Sequence, residues 1–389
     1  MSRPPKDATR LIHAGQAPVA LPRTVGPPIV KGSTVLLPDA ASLYDTTQPT
    51  YGRGGLTTQE TLMSALAELE GAAEVRLFPS GLAAMTGAML AVLKAGDEVL
   101  VTEAAYKPTR RFCDHVLRRF GVGVRYYPPR TAPEALVAMA GPATRLIVLE
   151  SPGSLSMELQ DAPAIARLAR ARGILTLMDN TWAAGLYFKP LTHGVDISVQ
   201  ALTKYVGGHA DAFRGCAAAA DPALCKALDQ AIWDFGWAVT PEDAYQMLRG
   251  LRTLPTRMAR HQESGLAVAT WLAGQSPVAE VLHPALPASP DHPLWRRDYT
   301  GAAGLFSMVL KPCSTRAVHA FLDALEVFGL GFSWGGFESL ALDAGPQFDV
   351  REGGSPFAGP VVRLNIGLED PGDLIEDLRR GFAALAAAD

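Results

Sequence analysis

Ile174-Leu175-Thr176-Leu177-Met178-Asp179-Asn180-Thr181-Trp182 and Ile197-Ser198-Val199-Gln200-Ala201-Leu202-Thr203-Lys204-Tyr205 each run from a short apolar-rich segment into a polar turn. Such runs read as buried strands of a parallel sheet. Ligands of open α/β sheets bind just beyond the carboxyl ends of the strands, so Asp179 and Lys204 are the first candidates for chemistry. Working outward, the same reading predicts strands at 75–78, 98–101, 124–127, 146–149, 174–178, 197–199 and 215–219, with helices at 81–94, 109–120, 133–140 and 162–172 between them. The fold class is therefore α/β, a large, mainly parallel seven-stranded sheet covered by helices.

Residues 1–58 are rich in Pro, Gly and Thr, with little periodicity, and read as an extended arm of the kind that reaches a neighbouring subunit. Residues 59–243 hold the sheet. Beyond Pro241 a helical pattern runs to Pro255, resumes at Arg257 and leads into a smaller α+β domain, 244–389, with strands at 304–310 and 361–366 and helices at 315–325 and 372–385.

The 389 residues carry a net charge of −4 and no basic stripe, which argues against nucleic acid or an anionic membrane as partner and for a small-molecule substrate. The amino terminus lacks a signal-peptide pattern and no apolar run reaches a bilayer span, so a cytoplasmic protein is expected. Cys113, Cys216, Cys225 and Cys313 lack the short paired spacings of a zinc site, so no metal is expected. No Gly-x-Gly-x-x-Gly follows the first strand, which disfavours a nicotinamide enzyme.

A pyridoxal enzyme needs a lysine to condense with the aldehyde and an acid to keep the ring nitrogen protonated, roles that Lys204 and Asp179 can fill. A helix cap and a surface lysine remain the plain alternatives. Phe78-Pro79-Ser80-Gly81-Leu82-Ala83-Ala84 runs from a strand into a helix, where the Gly81 and Leu82 N–H groups suit a phosphate, although such a turn is also an ordinary helix cap.

Taken with Tyr51-Gly52-Arg53, Tyr106, Glu150-Ser151-Pro152-Gly153-Ser154, Asp179 to Gly185, Thr203-Lys204-Tyr205, Ser333-Trp334-Gly335-Gly336 and Arg363 to Asp370, these segments resemble the Cys/Met-metabolism family of pyridoxal-phosphate enzymes nearly end to end. The resemblance implies the fold-type I transferase-like architecture and pyridoxal 5'-phosphate as cofactor. It implies a homotetramer of paired dimers in which Tyr51 and Arg53 bind phosphate across the interface. In its own subunit Gly81, Leu82 and Thr203 would hold the phosphate, Tyr106 would stack on the ring, Asp179 would meet the ring nitrogen and Lys204 the aldehyde. Arg363 would grip the substrate carboxylate with its planar fork, beside Ser333 and Trp334. Tyr51 and Tyr106 would assist Lys204 in catalysis, their phenols ionising more easily in a cationic pocket.

Within the family, Asn180-Thr181-Trp182 and Ser333-Trp334-Gly335 resemble the bacterial β-lyases, which implies β-elimination of L-cystathionine or related cysteine S-conjugates. Gly54, where an arginine is frequent, with Phe332 and Phe337, where tyrosine is frequent, departs from that pattern and makes the expected pocket wall less polar. Ser154 and Ala201 depart as well, from a ring-side asparagine and a phosphate-side serine. The alternatives are a γ-lyase or γ-synthase of the same family and a non-catalytic regulatory protein that only binds the cofactor.

Overall fold

The computed structural model describes residues 5–14, 24–45 and 47–388. Its larger sheet holds β1 (Glu74–Phe78), β2 (Glu98–Thr102), β3 (Gly123–Tyr127), β4 (Thr144–Glu150), β5 (Leu175–Asp179), β6 (Ile197–Gln200) and β7 (Gly215–Ala219), in the spatial order β1-β7-β6-β5-β4-β2-β3. From β3 to β6 the strands are parallel, whereas β7 runs antiparallel to both β6 and β1. The apolar runs of β4 to β6 follow from burial on both faces by helices. β7, Gly-Cys-Ala-Ala-Ala, is wholly buried as well, and its small side chains leave room for elements to approach closely.

A second sheet, β8 (Val278–Leu282), β9 (Leu305–Leu310), β10 (Gly329–Leu330), β11 (Leu340–Asp343) and β12 (Val361–Asn365), has the order β10-β11-β12-β9-β8 and is antiparallel except for the β10–β11 pair. Val362 and Leu364 of β12, with Ile366 just beyond it, bury one face together with residues of the helices Thr315–Asp323 and Pro371–Ala388. Arg363, on the alternate face, is free to point elsewhere.

The helical pattern expected to break at Pro255 is one continuous helix, Pro241–Ala273. Proline removes a single backbone donor. Burial on either side of it, by Leu251, Leu254 and Met258, outweighs that loss. Arg257 also staples the region, donating to the Gly250 carbonyl at 2.7 Å and to the Tyr205 carbonyl at 2.6 Å. The helix joins both sheets, with Leu248 and Leu251 in the core of the larger and Val268 and Leu272 in that of the smaller. The sequence boundary at 243/244 therefore falls inside its first turn.

Further departures are local. The helix expected over 109–120 is helical from Lys107 to Phe112 and continues through a π-helical turn, Cys113–Leu117, into a 3-10 turn at Arg118–Phe120. The arm contains an unforeseen helix, Asp7–His13, anchored by buried Leu11. The helices Thr57–Glu70 and Pro222–Phe235 were also not anticipated. Among the described residues no helix is long and apolar enough to cross a membrane, and no cluster of three or more His, Cys, Asp or Glu side chains could hold a metal ion.

Candidate active site

A cavity of about 340 Å³ opens over the carboxyl ends of β4, β5 and β6 and is closed on its far side by the second sheet domain. It brings together Gly81, Leu82, Tyr106, Asp179, Thr203, Lys204, Ser333, Trp334 and Arg363. These residues are up to 282 positions apart in the chain, and the crossover topology makes them neighbours.

Asp179 ends β5, and Thr181 holds one of its oxygens, Oδ1, by a hydroxyl hydrogen bond of 2.5 Å and an N–H bond of 3.0 Å. The same hydroxyl accepts the Ala201 N–H at 2.9 Å, so Thr181 ties the acid to the turn that carries Lys204. Sequence reasoning gave Thr181 no role, because that tie exists only once β5 and β6 are paired. Among the described residues Oδ2 of Asp179 takes no hydrogen bond, although burial pushes the carboxyl up and only Thr181 and Lys204 act against this. A protonated ring nitrogen would satisfy that oxygen.

Lys204 directs Nζ into the cavity, 2.9 Å from Ser333 Oγ and 5.2 Å from the Trp334 ring centroid. Burial and the Arg363 charge pull its amine from 10.5 down to about 8, with Asp179 opposing. The wall that carries Ser333 is seated on the lysine turn itself: a Cβ on Gly335, whose φ is +79°, would lie 2.9 Å from the Tyr205 nitrogen. Only glycine lets the two segments meet there.

At the phosphate end Ser80 caps the helix Gly81–Val92, its hydroxyl accepting the Ala83 N–H at 3.1 Å. The first-turn N–H groups beside it have no partner inside the helix. A Cβ on Gly81 would fall 2.3 Å from the Ala201 Cβ, so the helix start packs against the Ala201 turn too closely for any side chain. Thr203 is engaged with Arg214, its hydroxyl donating to that carbonyl at 3.1 Å and accepting that N–H at 3.0 Å. Ser154 and Ala201 line the cavity too.

Arg363 is 6% exposed and donates to the Phe332 and Ser333 carbonyls at 2.7 and 3.1 Å. Burial lowers its guanidinium to about 10, so it remains charged at neutral pH. Tyr106 lies across the cavity, and its phenol is pushed up by burial and by Glu150 against the pull of Arg363. The easier ionisation expected for Tyr106 is thus reversed, because partial burial of the phenol and the carboxyl beside it outweigh Arg363.

Tyr51 and Arg53 do not line their own chain's cavity. Arg53 stacks 4.5 Å over the Trp233 ring and donates to the Trp233 carbonyl at 3.2 Å, and a Cβ on Gly54 would come within 2.7 Å of the same indole. Phe332 lines the cavity mouth and is exposed, whereas Phe337 sits outside it, 6.4 Å from the His209 ring.

An open carboxylate oxygen, a half-buried amine of depressed pKa and a helix N-terminus in one cavity fit pyridoxal phosphate. The profile of the Cys/Met metabolism PLP-dependent enzymes matches residues 8–383. A Rhizobium johnstonii protein named provisionally as a cystathionine beta-lyase is 49% identical, with 97% of this chain and 96% of that protein covered. The cystathionine beta-lyase of Escherichia coli K12 is 40% identical over 97% of this chain and 98% of its own. The crystal structure of cystathionine gamma synthase from Xanthomonas oryzae pv. oryzae, in complex with aminoacrylate and cysteine, superposes with a TM-score of 0.93 at 31% identity, covering 100% of both chains.

Proposed function

The chain belongs to the Cys/Met-metabolism PLP-dependent enzymes, and from that premise we propose that it cleaves the carbon–sulfur bond of L-cystathionine or related cysteine S-conjugates by β-elimination. The products are a thiol such as L-homocysteine, pyruvate and ammonia. The observation that carries this reading is the convergence of Lys204, Asp179 and Arg363 in one cavity walled by Ser333 and Trp334.

Bound pyridoxal phosphate supplies the electron sink that makes the substrate's α-proton acidic. Asp179 would hold the ring nitrogen's proton, the N–H groups of Gly81 and Leu82 would hold the phosphate, joined by Thr203 once its hydroxyl turned from the Arg214 carbonyl, and Tyr106 would cover the ring. Arg363 fixes the α-carboxylate so that the Cα–H bond faces Lys204, whose Nζ accepts the proton. Loss of the thiolate from the β-carbon and hydrolysis of the released enamine consume one water and give one thiol, one pyruvate and one ammonium ion.

In this reading Tyr51 and Arg53 serve the site of a partner subunit within a homotetramer, which their position outside their own cavity supports. The arm is then residues 1–58, the cofactor domain 59–243 and the C-terminal domain 244–389. Cys113, Cys216, Cys225 and Cys313 form no disulfide with one another, which supports a reducing cytoplasm as its location.

A γ-lyase or γ-synthase has the fold-level likeness to the Xanthomonas enzyme in its favour. Incubation with L-cystathionine separates the readings: pyruvate with homocysteine is expected, and 2-oxobutyrate with cysteine would move the chain to the γ enzymes. A smaller test concerns the lysine's neighbour. A hydrogen bond to a charged group contributes about 1.5 kcal/mol at the low end, which suits a hydroxyl on the open side of a cavity. Ser333→Ala is expected to lower kcat about tenfold. Thermal unfolding should show an unmoved midpoint.

A further inference from the structure

Glu150 is the carboxyl in the cavity to which the mechanism above gives no task. It ends β4 and stands in register with Asp179 at the end of β5, so both side chains leave the same face of the sheet on adjacent strands. Its Oε2 accepts the Tyr106 N–H at 2.7 Å. The Tyr106 carbonyl in turn accepts the N–H groups of Thr109 and Arg110, at 2.9 and 3.2 Å, and so opens the helix Lys107–Phe112. The main chain of Tyr106 is thus clamped from both sides, and Glu150 is the clamp on the cavity side.

We propose that Glu150 is a positioning residue of this site, an uncharged carboxylic acid that anchors the Tyr106 main chain and leaves the negative charge of the carboxyl pair on Asp179. Two neighbouring carboxyls in a dry cavity do not ionise together, and the one with more donors keeps the charge. Asp179 has two donors from Thr181 and the charge of Lys204 acting on it, whereas Glu150 is held by the Tyr106 N–H, with less from Arg351 and from the Ser154 N–H, which is already bonded to the Ala104 carbonyl. Burial first, and Asp179 second, accordingly push Glu150 well above the usual carboxylate range. A second anion there would compete with Asp179 for the ring proton, so its neutrality protects the electron sink.

The inference rests on the reading that this cavity takes pyridoxal phosphate, and its test separates the two. Glu150→Gln keeps an uncharged acceptor of the same shape, and Glu150→Leu keeps the bulk without an acceptor. The measurements are hydrogen–deuterium exchange at Tyr106 in the apoprotein, the dissociation constant of added pyridoxal phosphate from absorbance titration, and kcat of the loaded tetramer or dimer. The Gln variant should stay within about threefold of the parent in all three. The Leu variant should exchange the Tyr106 N–H about tenfold faster and bind the cofactor about tenfold more weakly, as expected for one unpaired buried donor. Unchanged protection in the Leu variant overturns the anchor, and a Gln variant that fails like Leu overturns the uncharged form. A parent protein that binds no pyridoxal phosphate would sink the functional reading, while the exchange data would still decide the link between Glu150 and Tyr106.

Discussion

Lys204→Ala is expected to lower pyruvate release by at least about a thousandfold. A positioned general base alone contributes about 10²- to 10⁴-fold, and this residue is also the cofactor's anchor. Nζ reaches the cavity because Lys204 lies on the turn after β6 that Thr181 and Gly335 pin from two sides, so no neighbouring amine can replace it. An added small primary amine should restore part of the activity of Lys204→Ala and none of an Asp179→Ala variant. The pH dependence of cofactor uptake by the apoprotein checks the same group. An amine with a pKa of about 8 is mostly protonated below that pH and cannot attack an aldehyde. Uptake should therefore rise about tenfold per pH unit up to pH 7 and level off above about 8. A rise that continued to the ordinary lysine value of 10.5 would show that burial and Arg363 do not act on it as the structure implies.

The sequence made this residue legible for a definite reason. In a parallel sheet buried on both faces the strands are apolar along their length, and the first polar residues after them mark the carboxyl edge, where Asp179 and Lys204 stand. Arg363 was legible through the resemblance alone, because the period of two on β12 sets it opposite Val362 and Leu364 without saying whether that face is buried. The direction of β7 was not, because Gly-Cys-Ala-Ala-Ala reads the same in either sense and its neighbours are set by the return of the chain. Pro255 misled because its signal is local, whereas the helix is held by residues far away in sequence, such as Tyr205, that accept from Arg257. The raised phenol of Tyr106 was equally out of reach. It depends first on burial by segments far apart in the chain, among them the one carrying Glu150, which lies 44 residues further along and meets Tyr106 only in the folded sheet.

Arg363→Ala carries the second large expectation, a fall of about 10²- to 10³-fold in kcat/KM. Truncating one partner of a buried charge-assisted pair costs about 2–5 kcal/mol, and each 1.4 kcal/mol is a factor of ten. The guanidinium is buried yet charged, and among the described residues it spends only Nη2, on the Phe332 and Ser333 carbonyls, so a carboxylate can take the remaining donors. Those carbonyls give the substitution a second consequence, since they hold the segment whose Ser333 hydroxyl meets Lys204. Losing the carboxylate grip alone would raise KM, whereas loosening that segment would lower kcat, and both changes are expected. Arg363→Lys keeps the charge but not the planar fork, so it should recover part of the KM and little of the kcat. The two effects can be separated with a substrate analogue whose α-carboxylate is replaced by hydrogen. The parent should discriminate against this analogue by the full factor, and Arg363→Ala should treat it nearly like the amino acid. If the variant still discriminates as the parent does, the carboxylate is held elsewhere and Arg363 acts only through the Phe332–Ser333 wall.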